Sequence, residues 1–130
     1  MIYLDTSAAA KLIHTEPESL ALTTFLAERI DVPLVSSALL YPELVRAATR
    51  HHPDQVGRVM ALTQRVMTVP LASDIVTSAA TIGGPLVRTL DALHLATAKA
   101  IEPGLHAFVT YDKRQADAAT VEGLPVTIPA

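Results

Sequence analysis

The sequence predicts an α/β fold with a mostly parallel central sheet. Five short apolar segments with the composition of β-strands are spread along the 130 residues, and longer segments with helical spacing or helix-starting residues separate them. Strands that alternate with helices usually pair in parallel, because parallel neighbours need a crossover connection and a helix provides it. There is no internal repeat, linker or low-complexity segment, so we expect one domain covering residues 1–130.

The first half of the chain is expected to form two strands and four helices. Residues 1–5 are an apolar run that ends in an acid, and Thr6 or Ser7 then caps a helix. Pro17 suits the first turn of the second helix, whereas Pro42 lies within the third and predicts a kink or a late start. The predicted strands are 1–5 and 32–35, and the predicted helices are 8–14, 17–30, 36–50 with Ser36 and Ser37 as its cap, and 53–67.

The second half is expected to form three strands and three helices. Ser73 caps a helix that ends at the Gly83-Gly84-Pro85 break, and Pro103 with Gly104 ends the strong helical pattern of residues 90–101. The last predicted helix covers residues 113–121. The predicted strands are 68–71, 107–111 and 125–128.

The composition excludes several classes of protein. There are no cysteines, so disulfides and cysteine-based zinc sites are excluded. The N-terminal segment lacks the basic start of a signal peptide, and the uncharged stretch 75–87 is too short and too polar to span a membrane. We therefore expect a cytoplasmic protein. Half of the residues are hydrophobic, which leaves some apolar surface for a partner.

The net charge of −3 argues, taken alone, against a nucleic-acid-binding protein. Proteins of that class usually carry a basic surface that faces the phosphates. The objection weakens if several acids converge on a cation, because a bound metal ion reverses the local field. The positions of the acids therefore decide the question.

Four acids stand where an α/β fold places its ligands. Asp5 ends the first predicted strand and Asp112 ends the fourth, so both are expected at the carboxyl edge of the sheet. Asp91 begins a predicted helix, and Glu43 lies near the start of another. Each also has an ordinary explanation. Asp5 could cap a helix and Asp112 could be a turn acid. Asp91 could interact favourably with its helix dipole, and Glu43 could be a solvated surface residue. The combination is more specific than any one of them.

The order and spacing of these acids resemble the PIN-domain family of ribonucleases. Residues 2–7, Ile-Tyr-Leu-Asp-Thr-Ser, are similar to the first motif of that family, and Thr110-Tyr111-Asp112 is similar to the fourth. Residues 90–98, Leu-Asp-Ala-Leu-His-Leu-Ala-Thr-Ala, closely resemble the third, and Glu43 matches the second. The resemblance covers essentially the whole chain, and its short length is similar to that of the VapC toxins of toxin–antitoxin pairs.

The resemblance implies a three-layer α/β/α sandwich with the activity of a metal-dependent endoribonuclease. In such an enzyme a metal-activated water hydrolyses RNA phosphodiester bonds. By the same resemblance Asp5, Glu43, Asp91 and Asp112 are catalytic residues and metal ligands. An all-oxygen site suits Mg²⁺ or Mn²⁺ better than zinc, and crowded carboxylates raise one another's pKa unless a cation lies between them.

Three hydroxyl side chains are candidate secondary residues of the same pocket. Thr6 and Ser7 could orient Asp5 or a metal-bound water, and they could equally cap the helix that follows. Thr110 could play the same part near Asp112. Both interpretations of Thr6 and Ser7 can hold together.

Two further residues flank the third motif. Arg88 precedes Asp91 by three residues and could bind a substrate phosphate or pair with an acid of the pocket. His94 lies one turn after Asp91 among apolar neighbours, which favours a packed structural histidine over a metal ligand.

The resemblance also implies three kinds of partner. These are an RNA substrate, a cognate VapB-type antitoxin that blocks the acidic pocket with a basic side chain, and a second copy of the chain in a homodimer. The sequence does not identify the RNA, the cleavage sequence or the number of metal ions.

Two alternatives from other classes remain open at this point. A phosphoaspartyl phosphatase or a receiver domain also has an aspartate at a strand end, but the phosphatase needs a second aspartate two residues later, where this chain has Ser7. The other alternative is a non-catalytic PIN module that only binds a partner. Loss of pocket acids would indicate that state, and all four acids are present.

Overall fold

Five parallel strands form the centre of the structure, a computed structural model that describes residues 1–130. Their order across the sheet is β3–β2–β1–β4–β5, and all four neighbouring pairs are parallel. The strands are β1 (Ile2–Leu4), β2 (Leu34–Ser37), β3 (Met67–Val69), β4 (Ala107–Val109) and β5 (Val126–Thr127). The predicted parallel α/β architecture is confirmed.

Seven α-helices connect these strands. They are α1 (Thr6–Ile13), α2 (Ser19–Ala27), α3 (Leu40–His51), α4 (Val56–Thr63), α5 (Ser73–Ala79), α6 (Thr89–Ala100) and α7 (Lys113–Val121). Short 3₁₀ turns at Pro53–Gln55 and Glu102–Gly104 precede α4 and β4. None of the helices combines the length and the apolar character needed to cross a lipid bilayer.

The sheet has a hydrophobic core on each face, because successive residues of a strand point to opposite sides. Ile2 and Leu4 face a core formed with helices α1 to α4, whereas Tyr3 faces the opposite core with Phe108. Helices α6 and α7 cover this second face through Leu95, Ala98 and Ala119. The molecule is therefore a three-layer α/β/α sandwich.

The strand order places a crevice at the carboxyl ends of β1 and β4. The chain leaves β1 toward β2 and β3 on one side and returns through α5 and α6 to add β4 on the other side. Ligands of open parallel sheets bind at such a switch point. Asp5 follows β1 directly, and its backbone N–H donates to the carbonyl of Val109 at the end of β4.

The largest differences from the predicted elements concern β2 and the start of α3. Ser36 and Ser37 do not cap the helix but belong to β2, where Ser36 is buried and its hydroxyl donates to the carbonyl of Leu4 at 2.7 Å. Helix α3 begins later, at Leu40, so Pro42 lies in its first turn. A proline there removes an N–H that has no intrahelical partner anyway, so no kink is required.

The predicted helix caps were also wrong at two other places. Helix α1 begins at Thr6 itself with Asp5 at the cap position, and α5 begins at Ser73 with Ala72 at the cap position. Neither Asp5 nor Ala72 provides a side-chain cap. Helix α4 ends at Thr63 rather than at residue 67, because Met67 enters β3.

Candidate active site

Asp5 is the most deeply buried acid at the carboxyl edge of the sheet. Its side chain does not cap α1; instead Oδ2 accepts hydrogen bonds from Thr110 Oγ1 at 2.8 Å and from Ser7 Oγ at 3.0 Å. Only 4% of the residue is exposed. Two hydroxyls, one from α1 and one from the residue that follows β4, thus hold the carboxylate in one orientation.

Glu43 reaches the same edge from the first turn of α3. Its Oε1 accepts a hydrogen bond from Thr6 Oγ1 at 2.9 Å and lies 2.7 Å from His94 Nε2. The other ring nitrogen of His94, Nδ1, lies 2.7 Å from the hydroxyl of Tyr3 and 4.0 Å from Asp5 Oδ1. The buried histidine therefore stands between the two acids.

Asp91 and Asp112 form the second half of the site, joined by Arg88. Asp91 Oδ2 lies 3.1 Å from Arg88 Nε, and Asp112 Oδ2 lies 3.5 Å from Arg88 Nη2. The other oxygen of Asp112 caps α7 by accepting from the backbone N–H groups of Arg114 and Gln115. Asp112 therefore has a structural role as well as an oxygen that faces the site.

Burial and charge shift the protonation of the two innermost groups. Burial raises the pKa of Asp5, and the charge of His94 and the hydrogen bonds from Thr110 and Ser7 offset this effect only in part. Burial lowers the pKa of His94, but the hydrogen bond with Glu43 and the charges of Asp5 and Asp91 outweigh it, so the net shift is upward. Positive charge on His94 is thus favoured where carboxylates surround it.

The four acids form two pairs, each with a basic side chain between its members, and not a ready-made metal cage. No group of three or more His, Asp or Glu side chains stands close enough together to hold one ion as the side chains are placed. Arg88 bridges Asp91 and Asp112, and His94 lies between Asp5 and Glu43. Basic side chains thereby lie between acids that would otherwise repel one another.

A cleft of about 500 Å³ opens beside Asp91 and Arg88 and is also lined by Arg114, Gln115 and Asp117. This volume lies within the range of ~300–1,000 Å³ usual for ligand clefts. A second cleft of about 520 Å³ lies between α2 and α4 at the opposite edge of the sheet and has no acidic lining residue. We place the site beside the first cleft, because Asp91 lines it and Arg88 joins Asp91 to Asp112 there.

Comparison with known proteins identifies the family. The sequence profile of the PIN domain matches residues 2–121. Ribonuclease VapC35 of Mycobacterium tuberculosis is 40% identical over 132 residues, which cover 99% of this chain and 97% of that protein. The chain belongs to the PIN-domain family.

Solved structures agree with this PIN fold. Mycobacterium tuberculosis VapC20, described as a sarcin–ricin loop cleaving toxin, superposes with a TM-score of 0.75 at 15% identity and covers 95% of this chain and 96% of its own. The Rickettsia felis VapBC2 structure, described as bound to a DNA fragment from the promoter, gives 0.77 at 15% identity with full coverage of both chains. At such identity these two structures support the fold alone.

The structure places the predicted secondary residues of this PIN domain around the acids. Ser7 and Thr110 contact Asp5, whereas Thr6 contacts Glu43 instead of Asp5. None of the three caps a helix. Arg88 pairs with pocket acids, which is one of the two alternatives for that residue. Membership in the family decides against the phosphoaspartyl alternatives.

Two residues of the site were not singled out by the sequence. Tyr3 is fully buried with its hydroxyl on His94, and Gln115 is almost fully buried with Nε2 donating to the backbone carbonyl of Asp91 at 3.1 Å. A tyrosine in a buried strand needs a hydrogen-bond partner, which is a signal the sequence does contain. Gln115 gives no such signal, because most glutamines at helix starts are solvated.

The chemistry of the donor set fits a hard divalent cation. Asp5, Glu43, Asp91 and Asp112 offer only carboxylate oxygens, and the buried Asp5 has a pKa raised by its surroundings, so a nearby cation would favour its ionised form. Oxygen-only sites select Mg²⁺ or Mn²⁺ over zinc. Arg88 occupies the place between two of these acids, so it would have to move when an ion binds there.

Proposed function

We propose that this PIN domain is a metal-dependent endoribonuclease that acts as the toxin of a type II toxin–antitoxin system. The observation that carries the proposal is the buried Asp5 carboxylate at the switch point of the sheet, with three further acids at the same edge. An acid buried to this extent without a capping role is costly to the fold, and functional sites are where such a cost is retained.

Each acid has a part that follows from its surroundings. Asp5, held by two hydroxyls, would be the fixed ligand of Mg²⁺ or Mn²⁺. Asp91 and the free oxygen of Asp112 would complete the ligand set from the other side, and Glu43 would approach from α3. A divalent ion, when bound, supplies positive charge for the phosphate and acidifies a water.

The reaction is a hydrolysis in which a water oxygen bonds to phosphorus and the bond from phosphorus to the 3′ oxygen breaks. The carboxylates hold or accept the proton of the attacking water, and the 3′ oxygen takes up a proton as it leaves. The products carry a 5′-phosphate and a 3′-hydroxyl. Arg88 and Arg114, which line the cleft, provide positive charge for the RNA backbone.

The partner of this site would be a cognate VapB-type antitoxin. Proteins of similar fold include a VapBC complex from Rickettsia felis. An acidic pocket attracts basic side chains, and the fit of Arg88 between Asp91 and Asp112 indicates that a guanidinium suits this geometry. We propose that an arginine or lysine of the antitoxin occupies the pocket, and that the toxin is a homodimer.

A metal-supplemented RNA panel tests the activity. The purified protein is incubated with transfer, ribosomal and messenger RNA in Mg²⁺, in Mn²⁺ and in excess EDTA. We expect cleavage only with metal, and products that a 5′-phosphate-dependent exonuclease degrades. Asp5→Asn should abolish cleavage.

Asp31→Asn is the matched control, because Asp31 is an exposed acid that precedes β2 at the opposite edge of the sheet. This variant removes the same charge and should cleave like the wild type. Undiminished cleavage in EDTA, or products with 2′,3′-cyclic phosphate ends, would contradict the proposed function.

A further inference from the structure

His94 is the one histidine that the fold buries completely against the acids of the site. Only 1% of it is exposed, and both ring nitrogens are within hydrogen-bond distance of polar side chains. Its partners come from three other elements: Tyr3 from β1, Thr6 from α1 and Glu43 from α3. A histidine that only filled the core would not need polar partners from three separate elements of the site.

The hydrogen-bond chemistry fixes which nitrogen of the ring donates to Glu43. An ionised carboxylate only accepts, so the 2.7 Å contact requires a hydrogen on His94 Nε2. The Tyr3 hydroxyl, 2.7 Å from Nδ1, can donate to that nitrogen in the neutral ring or accept from it in the protonated ring, so Nε2 carries its hydrogen in both states. Tyr3 is rigidly packed, since it is fully buried and stacks on Phe108 at 5.1 Å between ring centroids.

The contact with His94 is one of two hydrogen bonds that hold the Glu43 side chain. Asp5 is fixed by two hydroxyls, and Asp112 is fixed by its cap of α7. Glu43 is a longer side chain, and Thr6 and His94 are its hydrogen-bond donors, both on Oε1. With Oε1 held by these donors, the second oxygen, Oε2, is left for a ligand.

We propose that His94 is a positioning residue that holds Glu43 in place beside Asp5, so that the carboxylates can share a metal ion. The inference rests on the proposed function. It gives the third motif a second functional residue besides Asp91. Asp91 and His94 lie one turn apart on α6 and contact opposite halves of the site. Partners that orient metal ligands commonly affect metal affinity or activity by roughly 10–100-fold.

Two variants with amide side chains distinguish the proposed positioning role of His94 from a role in packing alone. His94→Gln places an amide N–H near the position of Nε2 and can still donate to Glu43, whereas His94→Asn reaches only the position of Nδ1. Both variants put a smaller neutral amide in the same buried space. Mn²⁺ binding is measured by calorimetry in the absence of RNA, and thermal unfolding confirms that each variant is folded at the working temperature.

We expect His94→Asn to weaken Mn²⁺ binding by at least tenfold, and His94→Gln to remain within threefold of the wild type. Equal Mn²⁺ affinity of the wild type and His94→Asn, or equal losses in both variants, would overturn the inference and leave the proposed function standing. A wild type that neither binds Mn²⁺ nor cleaves RNA would overturn the proposed function instead.

A second measurement keeps the inference testable if His94→Asn does not fold. In metal-free wild type, the hydrogen on His94 Nε2 should give a downfield proton resonance that is protected from solvent exchange, because the ring is buried and bonded to a carboxylate. Glu43→Gln should shift this resonance, and Asp31→Asn should not. A spectrum without such a resonance, or one that Glu43→Gln leaves unchanged, would overturn the assignment.

Discussion

Asp5 is a charged residue that the fold buries almost completely without a full countercharge. Two hydroxyls stabilise the carboxylate, and His94 Nδ1 lies 4.0 Å away but is also shared with Tyr3. Burial therefore leaves the pKa of Asp5 above its ordinary value. Ionised Asp5 therefore destabilises the metal-free protein, and this loss of stability can be measured when no metal is bound.

We expect Asp5→Asn to raise the melting temperature of the metal-free protein while it abolishes activity. The amide has nearly the shape of the carboxylate, so its oxygen can still accept from Ser7 and Thr110. The pKa of Asp5 is higher in the folded protein than in the unfolded chain, where it lies near 3.8. Ionisation of Asp5 therefore lowers the stability of the fold as the pH rises from the unfolded pKa through the folded pKa. The difference in melting temperature between Asp5→Asn and the wild type should therefore grow as the pH rises through this window and narrow on acidification.

Thermal unfolding in EDTA at several pH values measures this difference. A metal-free variant that melts clearly below the wild type at neutral pH would mean that the carboxylate of Asp5 is chiefly a structural hydrogen-bond acceptor. Asp31→Asn, which removes an exposed charge, should show no such dependence on pH.

The sequence predicted where the four acids lie better than which residues they contact. The acids could be found because a strand end and a helix start fix where Asp5 and Asp112 stand along the sheet edge. The partners of Glu43 could not be found, because Thr6 and His94 are distant in sequence and meet only when α1, α3 and α6 pack. For the same reason His94 looked like a core residue: its apolar neighbours along α6 hide its polar partners across the fold.

At the scale of elements, Asp112 links helix α7 to the site. One carboxylate oxygen caps the helix, and the other faces Arg88. We expect Asp112→Asn to keep the stability of the wild type but lose activity, because asparagine caps a helix about as well as aspartate. Asp112→Ala should lose activity and also about 1 kcal/mol of unfolding free energy, the usual effect of removing a cap.

Urea unfolding and RNA cleavage by both variants separate the two roles. If Asp112→Asn cleaved RNA like the wild type, the cap would be the whole function of this residue. If both variants were as stable as the wild type, the cap seen at α7 would contribute little to the fold.

Arg88 joins the starts of α6 and α7 through their acids. Its side chain is 69% exposed, so solvent screens both ion pairs and we expect them to contribute no more than ~0.2–1 kcal/mol. A metal ion that binds between Asp91 and Asp112 would have to displace Arg88 and break both ion pairs. Arg88→Gln should therefore bind Mg²⁺ more tightly by about 1.4-fold to fivefold, the equivalent of that free energy.

Calorimetry without RNA measures this affinity apart from any contact of Arg88 with substrate. Arg65→Gln is the matched control, because it removes the same formal charge from the cleft between α2 and α4, away from the four acids. Unchanged or weaker Mg²⁺ binding by Arg88→Gln would mean that the arginine does not compete with the ion.

Element boundaries were predicted well where local signals and packing agree. Helix α7 was predicted to the residue, since Asp112 caps it and Gly123 follows it. The prediction ended β2 too early because Ser36 and Ser37 have the character of helix caps. They are strand residues because they pair with Thr68 and Val69 of β3, and because Ser36 donates to the carbonyl of Leu4. Tertiary pairing overrides local preference at such positions.

At the scale of the whole molecule, the net charge of −3 does not argue against an RNA-cleaving protein. Part of the negative charge is concentrated at the carboxyl edge of the sheet, where a cation would reverse its effect. The alternation of strands and helices sufficed to predict the parallel sheet, whereas the strand order, and with it the crevice between β1 and β4, depends on packing that no single segment reveals.

Metal binding should therefore stabilise the whole fold, because an ion bound only by the native state shifts the unfolding equilibrium. The expected gain follows RT ln(1 + [L]/Kd), which is ~2.7 kcal/mol when Mg²⁺ is at a hundred times its Kd. Asp5→Asn lacks one ligand and should gain less from the same Mg²⁺ titration, whereas Asp31→Asn should gain as much as the wild type. Thermal unfolding across the titration measures all three proteins. Equal gains in Asp5→Asn and the wild type would mean that Asp5 is not a significant ligand, and the metal site would then have to be sought elsewhere on this chain.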